Sequence, residues 1–193
     1  MERKKAAQRQ RIVEVAMALF REQGVEATTM EQIAREVDIA KGTLYNYFPV
    51  KEAIISEFMK RSFSERNSDW VQRLGRLPDT RSRMVWVISE LVRGISAHRD
   101  IFERYMVYRM QRMLSFQPDE DDQSGFYLLG QEIIGLGQES GELRRDAPAY
   151  IQREMFDFAF IEVVKLLFAD PEGFKAEEAV SMCVDLCLHG IKK

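Results

Sequence analysis

Residues 28–51 restrict the fold more than any other stretch of this 193-residue chain, because they predict two short helices joined by a tight turn. Thr29 and Gln32 have the three-residue spacing of a reciprocal capping box at a helix N-terminus. The apolar residues that follow repeat at i, i+3, i+4 and i+7, as on a helix with one buried face: Met30, Ile33, Ala34 and Val37. We therefore predict the first helix over about 30–37.

The second short helix is predicted over about 41–47. Asp38, in the turn before it, tolerates the left-handed backbone conformation that a tight corner needs. Pro49 disfavours helical geometry in the residue before it and so ends the helix. At about 100° per residue, Leu44 and Phe48 define the inward side of this helix.

The outward face of the second helix is polar and nearly uncharged. Asn46 lies opposite the inward side, between Gly42 and Thr43, and Tyr45 and Tyr47 lie on the two borders. An amide, a hydroxyl and two phenols therefore point outward, and little charge is present to repel phosphate. The simpler interpretation is a surface helical hairpin whose polar side chains merely face solvent.

Two residues at the start of the second helix are unfavourable for an isolated helix. Gly42 costs about 1 kcal/mol relative to alanine, and Lys41 places a cation at the positive end of the helix dipole. A phosphate at this position explains both, because glycine permits close backbone approach and the anion is shared by the lysine and the helix N-terminus. Lys51, at the start of the following helix, repeats the mismatch and indicates a second phosphate contact.

The run IAREVDIAKGTLYNYFPVKEAI resembles the DNA-binding signature of the TetR/AcrR family of transcriptional regulators. The resemblance covers about the first 55 residues, and Asp38, Ala40 and Val50 depart from it, so that the two following helices lack their usual side-chain caps. Each missing cap costs about 1 kcal/mol. The matching positions are Thr29, Ile33, Ala34, Gly42, Thr43, Leu44, Tyr45, Tyr47, Phe48, Lys51 and Glu52.

The resemblance implies an all-α protein of about nine helices. A three-helix DNA-binding domain with a helix-turn-helix would occupy residues 1–50, and a helical effector-binding and dimerisation domain would occupy 51–193. The implied function is that of a sequence-specific DNA-binding transcriptional regulator, a repressor released from a palindromic operator by a small, mainly apolar effector. An alternative is a helical protein of the same fold that acts through a protein partner without binding DNA.

The resemblance also implies which residues contact double-stranded DNA. Asn46 is expected to read a base, since asparagine can bond the edge of adenine in bidentate fashion. Thr43 is expected to touch a thymine methyl group, and the remaining side chains mainly to hold phosphates. The full predicted set is Thr28, Thr29, Lys41, Gly42, Thr43, Tyr45, Asn46, Tyr47 and Lys51.

The net charge of −3 is unevenly distributed along the chain. Residues 1–51 carry nine Lys or Arg and seven Asp or Glu, whereas residues 52–193 carry nineteen and twenty-four. Much of the positive charge falls in the first eleven residues, as in an arm that adds salt-dependent affinity for phosphate. A basic tail that only keeps the protein soluble is the alternative interpretation.

Helical spacing continues through the rest of the chain, with predicted helices over about 3–23, 51–75, 79–97, 100–115, 123–140, 147–169 and 175–191. The acidic segment 117–122 is predicted to be a solvated loop. Aromatic and methionine side chains among these helices suit an adaptable cavity for a lipophilic or aromatic effector, although they equally suit a plain core. The predicted pocket residues are Trp86, Tyr105, Met106, Met110, Met113, Phe126, Tyr127 and Phe156.

The helix over 147–169 is apolar on nearly every side and must be covered all round. Its own core covers one side, and a second subunit is the simplest cover for the other. Pairing it with the last helix across a two-fold axis predicts a homodimer with a four-helix interface. The predicted interface residues are Phe160, Val163, Val164, Leu167, Val180, Val184, Cys187 and Leu188.

Other classes of function find little support in the sequence. No Glu-x-x-His pair, phosphate-cradling loop or clustered set of metal ligands occurs, so we expect no enzyme, cofactor or metal. Cys183 and Cys187, with His189 nearby, are better explained as buried apolar residues than as a redox or metal site. The sequence lacks a leader pattern and a long apolar run, which predicts a cytoplasmic protein without a membrane partner.

Overall fold

The structure is a computed structural model that describes residues 2–113 and 125–191. All regular structure in these residues is helical, which confirms the predicted all-α class. The nine helices in the described ranges are α1 (Glu2–Gln23), α2 (Met30–Val37), α3 (Lys41–Tyr47), α4 (Lys51–Leu74), α5 (Thr80–Ala97), α6 (Arg99–Met113), α7 (Gly125–Glu139), α8 (Ala149–Ala169) and α9 (Ala176–Ile191). The acidic segment 117–122 lies outside the described residues.

The chain divides into two compact units, residues 1–62 with 98–121 and residues 63–97 with 122–193. The helix α4 begins in the first unit and ends in the second, and α6 belongs to the first. The predicted domain boundary between residues 50 and 51 stays a prediction.

The first unit is built on the contacts of α1 with α2 and of α2 with α3. Each of these helices turns its apolar face inward, as the spacing predicts. Gly24 has a φ of +86°, a left-handed conformation that favours glycine, and its N–H donates to the carbonyl of Phe20 at 3.0 Å, so that α1 ends there. The core side chains from these helices include Ile12, Val13, Ala16, Phe20, Ile33, Val37, Leu44 and Phe48.

The second unit is organised around α8, which packs against α9 and α7, while α5 packs against α9 and α7. Its core is almost wholly apolar, including Met84, Val87, Ile88, Leu129, Ile133, Phe156, Val163, Val164, Val180 and Val184. Four helices that share one apolar core give this unit its stability, because buried apolar area is the main favourable contribution to folding.

A polar tie in the second unit connects the first residue of α5 with the segment that follows α7. The backbone N–H of Thr80 donates to Glu142 Oε2 at 2.6 Å. The buried Arg83 donates from Nε and Nη2 to the carbonyls of Leu74 and Leu77, both at 3.1 Å. Burial raises the pKa of Glu142, but hydrogen bonds from Thr80 and Ser140 outweigh it, so that the pKa is lowered.

Close packing explains Gly130 and Gly137, two of the glycines in α7. A Cβ atom at Gly137 would lie 2.6 Å from Thr80 Oγ1 and 2.7 Å from the side chain of Leu143. A Cβ at Gly130 would lie 3.0 Å from Cγ of Arg153, whereas a Cβ at Gly135 would meet no atom within 4 Å. At Gly137 the sequence therefore gives up helix propensity to let a neighbouring segment approach.

Candidate nucleic-acid interface

The helix α2 begins with half of the predicted capping box. Thr29 has an extended backbone, and its Oγ1 accepts a hydrogen bond from the N–H of Gln32 at 3.1 Å. The side chain of Gln32 does not return to the cap; it bonds that of Gln23 on α1, with the Nε2 of Gln23 donating to Oε1 of Gln32 at 2.8 Å. These side chains therefore fix α2 against α1 rather than closing the cap.

The turn between α2 and α3 follows the prediction made for Asp38. Its φ is 59°, the left-handed conformation that Asp tolerates better than most residues. The N–H of the following Ile39 donates to the carbonyl of Ala34 at 3.0 Å, which satisfies an acceptor at the end of α2. Ala40 offers no side-chain cap to α3, so that tertiary packing must hold this seven-residue helix.

Two buried side chains supply that packing. Leu44 is 0% exposed and Phe48 is 1% exposed, so the predicted inward side of α3 is confirmed. The guanidinium of Arg9 on α1 lies over the ring of Phe48, 4.6 Å from the ring centroid. A cation over an aromatic face stabilises the pair by about 0.5–1 kcal/mol at a partly exposed position.

The opposite side of α3 faces outward, as predicted. Tyr45 is 41% exposed, Tyr47 is half-buried, and a Cβ at Gly42 would meet no atom within 4 Å. The fold therefore does not require glycine at position 42. The other predicted contact residues on this side are also exposed: Lys41, Thr43 and Asn46.

Lys41 has a partner that the sequence did not indicate. Its ammonium forms an ion pair with the carboxylate of Glu31 on α2. The hydrogen bond to Glu31 raises the pKa of Lys41, and the same bond lowers the pKa of Glu31. Both groups are more than half exposed, so an approaching phosphate would compete with Glu31 for the ammonium group.

The structure contradicts the predicted phosphate contact of Thr28. This residue is 0% exposed, and its hydroxyl donates to the carbonyl of Gly24 at 2.8 Å. The same oxygen accepts a hydrogen bond from Gln23 Nε2 at 3.1 Å. Thr28 therefore lies inside the first unit, where it supports the segment before α2, and Thr29 is the threonine exposed at the surface.

Lys51 also has an internal role that sequence reasoning missed. Its Nζ donates to the carbonyls of Val25 and Thr28, at 2.6 and 2.9 Å. A lysine ammonium has three protons, and two of them are engaged in tying the start of α4 to the segment between α1 and α2. Its proposed DNA contact remains a prediction, and this tie is an observed function of the side chain.

The predicted basic arm is the first part of α1. Arg3, Lys4, Lys5 and Arg11 are exposed along it, whereas Arg9 is partly buried and forms an ion pair with Glu57 on α4 at 2.9 Å. One of the five cations is thus committed to packing, and the remaining side chains face solvent.

The predicted effector-pocket residues fall into separate groups. Trp86 pairs with Trp70, with ring centroids 5.0 Å apart, whereas Phe126 stacks on the buried Phe156 at 5.4 Å. The ring of Tyr127 lies 4.3 Å below the guanidinium carbon of Arg153. The other members belong to the first unit, with Tyr105 buried, Met106 half-buried and Met110 40% exposed. The side chain of Met113 lies outside the described residues.

The structure contradicts the predicted dimer-interface residues. All of them are at most 7% exposed within a single chain, where they form the contact between α8, α9 and their neighbours: Phe160, Val163, Val164, Leu167, Val180, Val184, Cys187 and Leu188. Atoms already buried in the chain have almost no surface left to bury against a partner. An apolar pattern on all sides of α8 does not reveal which side meets the chain's own core.

Other large apolar residues on the same two helices are exposed. We call them the exposed apolar stripe: Ile151, Met155, Phe158 and Leu166 on α8, with Met182 and Leu186 on α9. Leu186 is 70% exposed and Phe158 is 56% exposed. Exposed apolar groups of this size usually mark an interaction surface.

Cys183 and Cys187 are buried, as predicted, and are free thiols. Burial raises the pKa of both thiols, that of Cys187 to about 11, so that neither forms a reactive thiolate at neutral pH. In residues 2–113 and 125–191 no three His, Cys, Asp or Glu side chains gather as metal ligands would. Nor does any described helix combine the length and apolar character needed to cross a bilayer.

Residues 12–58 match the family model of bacterial regulatory proteins, tetR family. The chain is 34% identical over 87 residues to the HTH-type transcriptional repressor KstR of Rhodococcus jostii (strain RHA1), a match that covers 45% of this chain and 40% of that protein. It is 30% identical over 110 residues to IcaR of Staphylococcus aureus (strain Newman), the HTH-type negative transcriptional regulator of the biofilm operon icaADBC, covering 57% and 55%. The matches thus span about half the length of these relatives.

Most of the chain resembles a solved structure in fold. A crystal structure of Thermus thermophilus FadR, a TetR family transcriptional repressor in complex with lauroyl-CoA, superposes with a TM-score of 0.75 and covers 94% of both chains. The sequence identity is 24%. The similarity therefore extends beyond the region of clear sequence identity to the helical remainder of the chain.

Proposed function

We propose that this chain, whose N-terminal domain belongs to the tetR family of bacterial regulatory proteins, is a DNA-binding transcriptional repressor that works as a homodimer. The observation that carries the proposal is the outward side of α3. It is held on the surface by the buried Leu44 and Phe48, and it carries the exposed side chains of Lys41, Thr43, Tyr45 and Asn46.

The side chains of α3 divide into two roles under this proposal. Asn46 and Thr43 read base edges in the major groove, where asparagine suits adenine and a threonine methyl suits thymine. Lys41, Tyr45 and Tyr47 hold phosphates, and Lys41 exchanges its Glu31 partner for a phosphate oxygen. Gly42 allows the backbone to approach the DNA, which explains a glycine that internal packing does not require.

The homodimer follows from the size of the reading element. One seven-residue helix spans only a few base pairs, so a specific site needs two copies on major-groove faces about 34–36 Å apart, which read a palindrome. The exposed apolar stripe supports a second copy of the chain as its cover, since a two-fold axis brings the same surface of each subunit together. This assignment replaces the residues predicted from the sequence.

A small, mainly apolar effector is proposed to bind in the second unit, beside the aromatic group formed by Phe126, Phe156 and Phe160. The ring centroid of Phe126 lies 5.4 Å from that of Phe156 and 4.7 Å from that of Phe160. The Thermus thermophilus repressor of the same fold holds lauroyl-CoA, which supports an acyl chain as the first effector to test. Binding of the effector lowers DNA affinity, and DNA lowers effector affinity by the same factor. Under this proposal the protein is cytoplasmic, where it can meet both the DNA and the small-molecule effector.

The decisive experiment selects duplexes from a random pool with the purified chain. A palindromic site bound with a steep dependence on salt is expected. Asn46→Ala should relax the preference at one base position by about 1–3 kcal/mol, whereas Gln111→Ala, which removes an exposed amide from α6, should leave it unchanged. No enrichment and no salt dependence would favour a protein partner in place of DNA and overturn the proposal.

A further inference from the structure

The carboxylate of Glu31 lies beside the first residue of α3, although Glu31 itself belongs to the first turn of α2. It forms an ion pair with the ammonium group of Lys41, where α3 begins. The side chain of Glu31 is 54% exposed, so the packing of the chain does not enclose it. Glu31 is not among the residues that the sequence predicts as DNA contacts.

The end of α3 that Glu31 adjoins is the end that reads bases in a helix-turn-helix. In this motif the N-terminal residues of the second helix contact base edges in the major groove, and the first helix crosses the backbone. A side chain of α2 that touches Lys41 therefore lies where phosphates and base edges are both within reach.

A carboxylate in this place lowers DNA affinity unless the DNA offers it a hydrogen-bond donor. The hydrogen bond from Lys41 lowers the pKa of Glu31, so the carboxylate is ionised at neutral pH and only accepts hydrogen bonds. Under the function proposed above, Lys41 leaves Glu31 for a phosphate. Glu31 then stands close to a group of its own charge, and a donor on a base edge is the partner that offsets this repulsion.

Cytosine provides the donor that best suits a carboxylate in the major groove. The exposed donors of the base pairs there are the N4 amino group of cytosine and the N6 amino group of adenine. The adenine group lies between two acceptors, its own N7 and O4 of thymine, whereas the cytosine group has an acceptor on one side only. A carboxylate is therefore repelled less at cytosine, which is the base that glutamate pairs with in direct readout.

We propose that Glu31 is a further specificity-determining residue, which selects cytosine at one position of each half-site by accepting a hydrogen bond from its N4 amino group. Lys41 moves to a phosphate as this bond forms, so the ion pair of the free protein is exchanged for two contacts with DNA. The inference rests on the proposed function. Glu31 also suits the positive end of the α2 dipole, but that role alone creates no base preference.

Selection of duplexes from a random pool with the wild-type chain, Glu31→Gln and Glu31→Ala tests the assignment. The wild-type chain should enrich cytosine at a position of each half-site where Glu31→Ala enriches no base. Glu31→Gln should enrich adenine there, because glutamine bonds N6 and N7 of adenine in bidentate fashion. The same preferred base in all three proteins would overturn the proposal. Guanine in the Glu31→Gln selection would also overturn it, because lysine pairs with guanine and the released Lys41 would then be the reading residue.

Glu36→Gln is the matched control, because it removes the same charge from an exposed position of α2. At about 100° per residue, the side chain of Glu36 points about 140° away from that of Glu31. This variant should keep the preference for cytosine. If Glu36→Gln loses it as well, the preference reflects the total charge of α2 and not a contact of Glu31. Thermal melting followed by circular dichroism checks that each variant is folded.

Affinities for a pair of duplexes give the size of the effect. Replacing the selected G·C pair by A·T in both half-sites should weaken binding of the wild-type chain by at least about fivefold at fixed ionic strength, and should leave Glu31→Ala nearly unchanged. Equal weakening of the two proteins would refute the role of Glu31 and leave the proposed function standing. Failure of the wild-type chain to bind any duplex would instead overturn the proposed function, and this inference with it.

Discussion

In α3 the buried and exposed sides are separate in the sequence itself, whereas in α8 and α9 apolar residues occur on both sides. The spacing of Leu44 and Phe48 identified the inward side of α3, and the polar residues between them identified the outward side. The pattern on α8 led to Val163 and Val164 as partner contacts, yet both lie in the core. Apolar periodicity thus locates a buried face only where polar residues mark the alternative.

The largest expected effect is the contrast between a substitution on the buried apolar face of α9 and one on its exposed apolar face. Val184→Glu places a carboxylate at a position that is 0% exposed, and it should unfold the second unit at a cost of at least about 4 kcal/mol. Leu186→Glu, two residues later and 70% exposed, should leave the fold intact and convert the dimer to a monomer. Circular dichroism and sedimentation measure the two outcomes.

Val107→Glu provides the control for Leu186→Glu, because it adds the same charge at a 51% exposed apolar position on α6. It should remain dimeric. If Leu186→Glu and Phe158→Glu both remain dimeric as well, the exposed apolar stripe is not the dimer interface. The exposed face of α9 would then have no role in dimerisation.

The next effect tests a close contact within the second unit. Gly137→Ala adds a methyl group 2.6 Å from Thr80 Oγ1 and 2.7 Å from Leu143, and should destabilise the chain by about 1–3 kcal/mol. Gly135→Ala, two residues earlier in the same helix, meets open space and should stabilise it slightly through helix propensity. Urea unfolding that ranks the two variants in the opposite order would contradict the described packing of α7.

An effect of similar size is expected at Lys51 in the first unit. Lys51→Met removes the hydrogen bonds to the carbonyls of Val25 and Thr28, and should cost about 1–3 kcal/mol of stability. If those bonds are its main role, the salt dependence of DNA binding should stay unchanged. If Lys51 instead mainly contacts phosphate, Lys51→Met should reduce the salt slope of DNA binding by about 1 and leave the melting temperature unchanged.

The smallest expected effect is the pH dependence of stability, which should differ between the polar tie made by Glu142 in the second unit and the one made by Lys51 in the first. Glu142 holds the tie of the second unit with a lowered pKa, so its contribution is present above the unfolded pKa, near 4.5, and is lost as pH falls through the lower folded value. The tie made by Lys51 contains no carboxylate. Glu142→Gln should therefore melt below the wild-type chain at pH 7, and the difference should shrink below about pH 4.5. A difference that does not depend on pH would rule out this role for the carboxylate.

Much of the first unit was predictable because its signals are local. The predicted ranges 30–37 and 41–47 agree with Met30–Val37 and Lys41–Tyr47, since caps, turns and one-sided periodicity act within a few residues. The ends of the longer helices also fall close to the predicted positions. The side chains that act across long sequence separations were missed, such as Arg9 over Phe48 and Lys51 on the carbonyl of Val25.

The sequence by itself determined the helical class, the two short helices and the polar face of α3, because each depends on residues three or four positions apart. Only the tertiary structure decided that Thr28 is internal, that Lys51 ties α4 to the segment before α2, and which face of α9 is free. These outcomes depend on which surfaces meet when the helices pack, and the hydrophobic effect that drives packing is not directional. The spacing of apolar residues predicts that a helix surface must be buried, and the packing of the chain determines what buries it.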